Sequence, residues 1–203
     1  MRYPPDQKAR ARDALVRAGT RSLKTSGFNG VGVDGLAAAA GVTSGAFYSN
    51  FPNKTAILQA VIDAGLGEPF VTDTAAMTRA EARAHLSAFL AEYMNTDHSH
   101  DVTGGCVMPA LSADVSRAEP PVKEAYERKM TALIDRITEL LDGAESDRRQ
   151  RALSIVALMV GSVLISRGMP EQSETRSAAL NSALATASAL MDAGASPKSR
   201  RPR

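Results

Sequence analysis

The 203-residue sequence has no tryptophan, a single cysteine, three histidines, and only five phenylalanines and four tyrosines. One cysteine cannot close a disulfide within the chain, which excludes a disulfide scaffold. So few aromatic residues argue against a β-sandwich or barrel, because sheets favour aromatic and β-branched side chains. The N-terminal stretch MRYPPDQKARARD lacks an apolar segment and does not read as a secretory signal. The longest near-apolar run, Ala152 to Ile165, is interrupted by Ser154, Gly161 and Ser162 and is too short to span a bilayer. There is no nucleophile–base pair, phosphate-cradling glycine loop or dinucleotide fingerprint. Alanine, by contrast, is abundant at 35 residues, and it loses least on entering a helix. Apolar residues make up 44% of the chain, enough for a buried core. These features predict an all-α, soluble, cytoplasmic protein with no enzyme activity, no cofactor, no metal and no membrane partner.

The net charge of +2 is unevenly spread. Residues 1–62 hold eight Lys or Arg and three acids, a net +5. Residues 63–196 hold twelve basic and nineteen acidic residues, a net −7, and residues 197–203 (PKSRRPR) add +4. An anion-binding module on a regulatory body fits this pattern. Solvated helix faces of uneven sign fit it equally.

Apolar periodicity and end signals predict about nine helices. A first helix runs from about Asp6 to Ser26 and stops at Gly27. A two-turn helix follows over Val33 to Ala40, closed by Gly41. Thr43 caps the next, ending near Asn50, and Asn53 caps a fourth with Ile57, Leu58, Val61 and Ile62 inside. Gly65, Gly67 and Pro69 read as a linker. Thr78 with Glu81 is a capping-box pattern that opens a helix carrying Leu86, Phe89, Leu90, Tyr93 and Met94. Residues 97–105 read as loop, and Cys106 to Val115 as a short helix. Pro120 and Pro121 start a long helix that Gly143 ends. Arg148–Arg167 and Ser173–Asp192 are the last two. The predicted division is a helix-turn-helix module over 1–64, a regulatory and dimerisation domain over 65–194, and a disordered basic tail over 195–203.

The stretch Val33 to Lys54, two short helices about a turn at Gly41, is helix-turn-helix geometry. In such a unit the N-terminal residues of the second helix face base edges in the major groove. Here that helix offers Thr43, Ser44, Gly45, Ala46, Ser49 and Asn50, small enough for close approach. Tyr48 projects sideways, where its hydroxyl reaches a phosphate, and Phe47 and Phe51 face inward. Lys54 opens the following helix, whose N-terminus also suits a phosphate. Val33, at the start of the first short helix, completes the expected DNA-binding set. An ordinary helical hairpin accounts for the apolar residues but not for Tyr48 and Lys54 around a glycine turn in a basic segment.

The stretch resembles the DNA-binding domain of the tetracycline-repressor (TetR) family of bacterial regulators. The resemblance rests on Ala14-Leu15, Ala18, Gly27-Phe28, Val33-Asp34, Leu36-Ala37, Ala40-Gly41-Val42, Gly45-Ala46-Phe47-Tyr48, Asn50-Phe51-Pro52, Lys54 and Ile57-Leu58. It covers about residues 8–62. The family usually has Thr then Ser or Thr before the second helix; here Val31 and Gly32 stand there, removing a hydroxyl cap and phosphate contact. Gly35 is also a weak helix former. The resemblance implies a ligand-responsive regulator, usually a repressor, binding near-palindromic double-stranded DNA as a homodimer. It implies dimerisation through the last two helices. The Ile155, Leu158, Met159, Ser162, Ile165 surface is more apolar than one antiparallel partner requires. Leu180, Leu184 and Ala187 complete the expected interface on the last helix.

The resemblance also implies a small-molecule effector among the middle helices, with Phe89, Tyr93, Met94, Cys106, Met108, Tyr126, Met130 and Met159 as candidate lining. Few charges punctuate these faces, so an apolar or aromatic effector is expected. Core packing explains any one of these residues as well. Cys106 follows Thr103-Gly104-Gly105 and enters a helix N-terminus, whose dipole favours a thiolate. GGCVMPALSADVS is similar to family members with cysteine at this point, some of which sense electrophiles or oxidants. A thiol-sensing repressor is therefore an alternative, and a small buried hydrophobe is the plainer reading of Cys106. A small helical enzyme built on His98 and His100 is the alternative of another class. That pair lies in a polar segment with no third histidine nearby, which favours solvated residues over a metal site.

Overall fold

Residues 5–194 are described by a computed structural model, and among them eleven helices form and no strand. In order they are α1 (Pro5–Ser26), α2 (Val33–Ala39), α3 (Ser44–Asn50), α4 (Lys54–Gly65), α5 (Glu68–Thr74), α6 (Arg79–Tyr93), α7 (Thr96–His100), α8 (Val107–Ser116), α9 (Pro120–Leu140), α10 (Glu145–Arg167) and α11 (Glu174–Asp192). The basic tail expected over 195–203 lies outside the described residues. Two helices exceed the predicted nine. The linker expected after Gly65 breaks only at Gly67 (φ +67°) before α5 begins, with Pro69 in the first turn, where no amide is needed. The expected 97–105 loop contains α7, so His98 and His100 stand on a helix.

The ends form where local chemistry dictates. Thr43 accepts the Ala46 amide at 3.1 Å, and Asn53 accepts the Ala56 amide at 2.8 Å. Thr78 and Glu81 make the reciprocal capping box. Bonds from both the Thr78 hydroxyl and its amide hold the Glu81 carboxyl below its ordinary pKa.

The described residues divide into two compact units: 5–72 with 97–133, and 73–96 with 134–194. The charge reversal near residue 65 does not coincide with this division, because α8 and most of α9 pack with the N-terminal helices. In the first unit α1 is the spine, touching α2, α3, α4 and α8. Leu15, Leu23, Leu36, Phe47, Ile57, Leu58, Val61 and Leu111 are fully buried there. A methyl at Gly19 would stand 3.0 Å from Ile57 Cδ1, so α1 and α4 approach as closely as glycine permits. α8 is joined to α1 and the turn after it at two places. Buried Lys24 Nζ donates to the Gly105 carbonyl at 2.5 Å, and the Phe28 amide donates to Asp114 Oδ2 at 2.8 Å.

In the second unit α10 pairs with α11, which also meets α6. Arg151, only 5% exposed, donates to the carbonyls of Leu190 at 2.8 Å and Ala193 at 2.6 Å and to that of Asp142, and pairs with Asp147. Arg79 and Arg83 bind the last carbonyls of α9 and the Asp142 carboxylate. The Arg79 bond and the surrounding guanidinium charges hold Asp142 below its ordinary pKa. Three arginines thus satisfy carbonyls at helix C-termini, where four acceptors otherwise lack partners.

By length and composition α10, at 23 residues, is long and apolar enough to cross a membrane, unlike the shorter run read from the sequence. It carries Arg148, Arg149 and Arg151, and its Ile155, Met159 and Val163 face is buried within the chain.

Candidate nucleic-acid interface

α2 and α3 meet at Gly41, whose φ of +68° is the left-handed conformation that turns one helix into the next. The Val42 amide bonds back to the Ala37 carbonyl at 3.0 Å. Phe47 and Phe51 are buried beneath α3, their rings 5.9 Å apart. Arg12 of α1 lies over the Phe51 ring and donates to the Asn50 carbonyl at 3.1 Å, fixing the end of α3. This leaves Tyr48 58% exposed, braced edge-on by Phe47 at 5.5 Å. Thr43, Gly45 and Ser49 are exposed, and Ser44, Ala46 and Val33 half-buried.

Two of the expected contact residues are turned elsewhere. Asn50 Nδ2 donates back to the Ala46 carbonyl at 2.9 Å, and its Oδ1 is buried without a hydrogen-bond partner, so its amide does not face a base. Lys54 is half-buried rather than exposed: its ammonium donates to the carbonyls of Phe28 (2.7 Å) and Val31 (3.2 Å) and lies 4.2 Å over the Phe28 ring. A lysine at a helix start offers three donors, and here the turn's unpaired carbonyls take two of them. Lys24 is likewise internal, so two of the eight basic residues of the N-terminal third hold the structure. Lys54→Ala should lower stability by about 2 kcal/mol, because charge-assisted bonds to two carbonyls and a cation–π contact are lost. The salt dependence of DNA binding should keep its slope in that variant, since no phosphate contact goes with the side chain. Thermal melting and a salt titration read the two effects separately.

Val31 and Gly32 stand where a hydroxyl cap was missing. Gly32 is the N-cap of α2 with φ −90° and ψ 172°, and no side chain bonds the helix amides. A Cβ there meets nothing within 4 Å. Gly32→Ser should therefore stabilise the protein by roughly 0.5–1 kcal/mol, through the added cap and a less flexible unfolded chain. A urea midpoint that falls instead would contradict the capping geometry.

Known families match both parts of the chain. Residues 15–61 match the family described as bacterial regulatory proteins, tetR family. Residues 82–183, half of the chain, match the tetracyclin repressor-like C-terminal domain. The chain belongs to the TetR family. It is a helix-turn-helix DNA-binding transcriptional regulator of that family. No curated protein matches it. Among solved structures, the reduced form of Escherichia coli NemR is similar over 93% of this chain and 98% of its own, with 22% identity and a TM-score of 0.72. A TetR-family regulator from Cytophaga hutchinsonii is similar over 93% and 96%, with 19% identity and a TM-score of 0.74. Bacillus subtilis FadR in complex with stearoyl-CoA is similar over 91% and 99%, with 18% identity and a TM-score of 0.65. At these identities the likeness establishes the fold.

The effector residues expected for this TetR-family chain fall in both units. Cys106, Met108, Tyr126 and Met130 belong to the first, and Phe89, Tyr93, Met94 and Met159 to the second. In the first, Ser112 Oγ ties α8 to α9 through Tyr126 OH at 2.9 Å. Cys106 is the N-cap of α8, its sulfur accepting the Met108 amide at 3.4 Å. In the second, the Phe89 and Tyr93 rings lie 5.7 Å apart, and Met94 and Met159 are buried. Among the described residues, no three His, Cys, Asp or Glu side chains assemble a metal site.

Of the expected dimer residues, Ile155, Met159, Ser162, Leu180 and Ala187 are buried within the chain itself, and Leu158 and Leu184 are half-buried. They occupy the face of each helix that α10 and α11 turn toward the chain's interior. Only Ile165 is exposed. The apolar surface left open on α10 is instead Leu153 (48% exposed), Ala157, Gly161 and Leu164 (56%), with Ile165 (52%) beside it. Sequence periodicity located the apolar helix but not the side its own neighbour takes.

Proposed function

We propose that the protein is a cytoplasmic, homodimeric, effector-responsive repressor that binds a near-palindromic operator. The observation that carries the reading is α3 itself: a short helix fixed from beneath by Phe47, Phe51 and Arg12, presenting Tyr48 and small hydroxyl residues outward. Such a surface suits the major groove, with Thr43 and Tyr48 on phosphates and Ser44, Gly45, Ala46 and Ser49 toward bases. Lys54 serves this surface by holding the Phe28–Val31 turn. Fluorescence anisotropy on DNA from upstream of its own coding sequence, titrated with salt against scrambled competitor, tests it. Tight, salt-dependent binding that survives competitor supports a sequence-specific regulator, and binding equal to scrambled DNA at every salt overturns it.

The second copy docks on the open face of α10, where Leu153, Ala157, Gly161 and Leu164 share a side. Exposed Ala178, Ser182, Ala185 and Ala189 give α11 a smooth surface for close approach. A homodimer supplies the two reading heads that a near-palindrome needs, one for each half-site. Leu164→Glu should convert the protein to a monomer in sedimentation while its helical circular dichroism persists. An unchanged mass would place the interface elsewhere.

The effector is a small apolar or aromatic molecule, as the mostly uncharged lining suggests; a fatty acyl chain, as in the ligand bound to FadR, is one such chemistry. Its point of action is α8 with the adjoining part of α9, around Met108, Tyr126 and Met130. α8 also carries Asp114, which bonds the turn amide of Phe28, and follows Gly105, which binds Lys24. An effector that prefers a shifted α8 draws the α1–α2 turn with it and depopulates the DNA-binding state. A second reading, thiol sensing through Cys106, is favoured by the sulfur's place as the acceptor cap of that same helix. NemR, the structural neighbour described in its reduced form, makes the comparison pertinent. Full alkylation of Cys106 by a quinone should then release DNA; unchanged affinity eliminates this reading.

A further inference from the structure

The serine hydroxyls on the outward side of α3 give their protons to groups within the protein and present acceptors outward. The helix, SGAFYSN, holds no Arg, Lys or Gln, the side chains that donate to guanine or pair with adenine. Asn50 is folded back on its own helix. The Ser49 hydroxyl gives its proton to the Ala46 carbonyl at 2.8 Å. The Ser44 hydroxyl gives its proton to Asp34 Oδ1 of α2 at 2.6 Å, on the exposed side of the module. Ser44 Oγ therefore offers only lone pairs, and the second carboxylate oxygen of Asp34 stands beside it.

We propose that the Asp34–Ser44 pair reads a cytosine in each half-site, accepting the hydrogen bond of its exocyclic 4-amino group. This rests on the docking of α3 in the major groove proposed above. The assignment follows by elimination among the base edges. Guanine presents two acceptors, N7 and O6, and thymine presents O4 and a methyl group. Adenine offers its 6-amino group beside the N7 lone pair, which opposes a pair of acceptors. Cytosine alone offers an amino donor with a C–H as its neighbour. A carboxylate in the groove also penalises every other base, since it is left desolvated and unpaired there, so discrimination comes partly from rejection.

Selection of random-sequence duplexes by the wild-type dimer and by Asp34→Asn, Asp34→Ala and Ser44→Ala tests the pair. Anisotropy on the selected site, with single base pairs exchanged, then gives the magnitudes. The wild-type protein should require one cytosine per half-site, its replacement costing about tenfold or more in affinity. Asp34→Ala should abolish the preference at that position and leave the others intact. Asp34→Asn should convert it to adenine, because a carboxamide donates to N7 while accepting from the 6-amino group. Ser44→Ala, which removes one hydroxyl from a half-buried site, should weaken the same preference, and thermal melting verifies that each variant is folded. Unchanged base preferences in the Asp34 variants overturn the proposal. So does a uniform rise in affinity for all sequences in Asp34→Ala, which would make Asp34 a simple repeller of phosphate. If the wild-type protein enriches no sequence, the regulator reading falls with it; if it enriches one that the variants share, only this inference falls.

Discussion

Gly30→Ala should destabilise the first unit by about 2–4 kcal/mol and cost at least about tenfold in DNA affinity. A methyl at this position would lie 2.0 Å from the Ser26 carbonyl oxygen and 2.9 Å from its carbon. Both are backbone atoms at the end of α1, so no side-chain rotation relieves the overlap and the turn itself must move. The turn is fastened on three sides: Phe28 and Val31 carbonyls to Lys54, and the Phe28 amide to Asp114. Displacing it breaks bonds that α4 and α8 make to it, and α2 follows directly from it. The comparison with Gly32→Ser sharpens the expectation. Two glycines two residues apart should respond with opposite sign, because one faces backbone and the other open space. Urea denaturation of both variants measures this, and a Gly30→Ala protein as stable as the parent would refute the close approach.

Arg151→Ala should cost about 3 kcal/mol, lowering the melting temperature by roughly 6–12 °C for a chain of this size. The side chain is nearly buried and satisfies carbonyls of Asp142, Leu190 and Ala193 with one planar fork. Truncation strands those acceptors at the end of α11, while Asp147, largely exposed, returns to water. Arg151→Lys should recover only part of the loss, since a single ammonium cannot span three acceptors. Hydrogen exchange should rise over the last two turns of α11 in particular. Unaltered protection there would mean that packing against α10, and not the arginine, holds that end.

Much of this architecture is legible in the sequence because helix ends advertise themselves. Thr43, Asn53, and Thr78 with Glu81 were all recognisable as caps, and each makes the expected bond. α5 and α7 were not legible: glycines and a proline mask the first, and the run of Asp, His and Ser in the second carries no apolar period. On α3, the exposure of Tyr48 is legible from its neighbours on the helix, since it is a matter of helical phase. Lys54 and Asn50 do not, because a long or branched polar side chain bends to whichever carbonyl is nearest, and sequence spacing does not say which that is. The Ser44–Asp34 bond depends on how α2 meets α3, and the Phe28–Asp114 bond joins residues 86 apart; neither has any local signal. The dimer residues show the same limit. A period of 3.6 finds the apolar faces of α10 and α11 but cannot say which of them the chain's own helices cover.

The bond from Asp114 to the Phe28 amide also has a meaning for synthesis. During translation α1 and α2 leave the ribosome long before the residue that completes the turn between them. At about 5–20 residues per second, Asp114 is made roughly 4 to 17 s after Phe28, from their separation of 86 positions. Until then the turn amide has only water as a partner, and α1 lacks α8, one of the helices packed against it. A nascent or prematurely terminated chain that stops short of α8 therefore has this turn held through the Lys54 bonds alone.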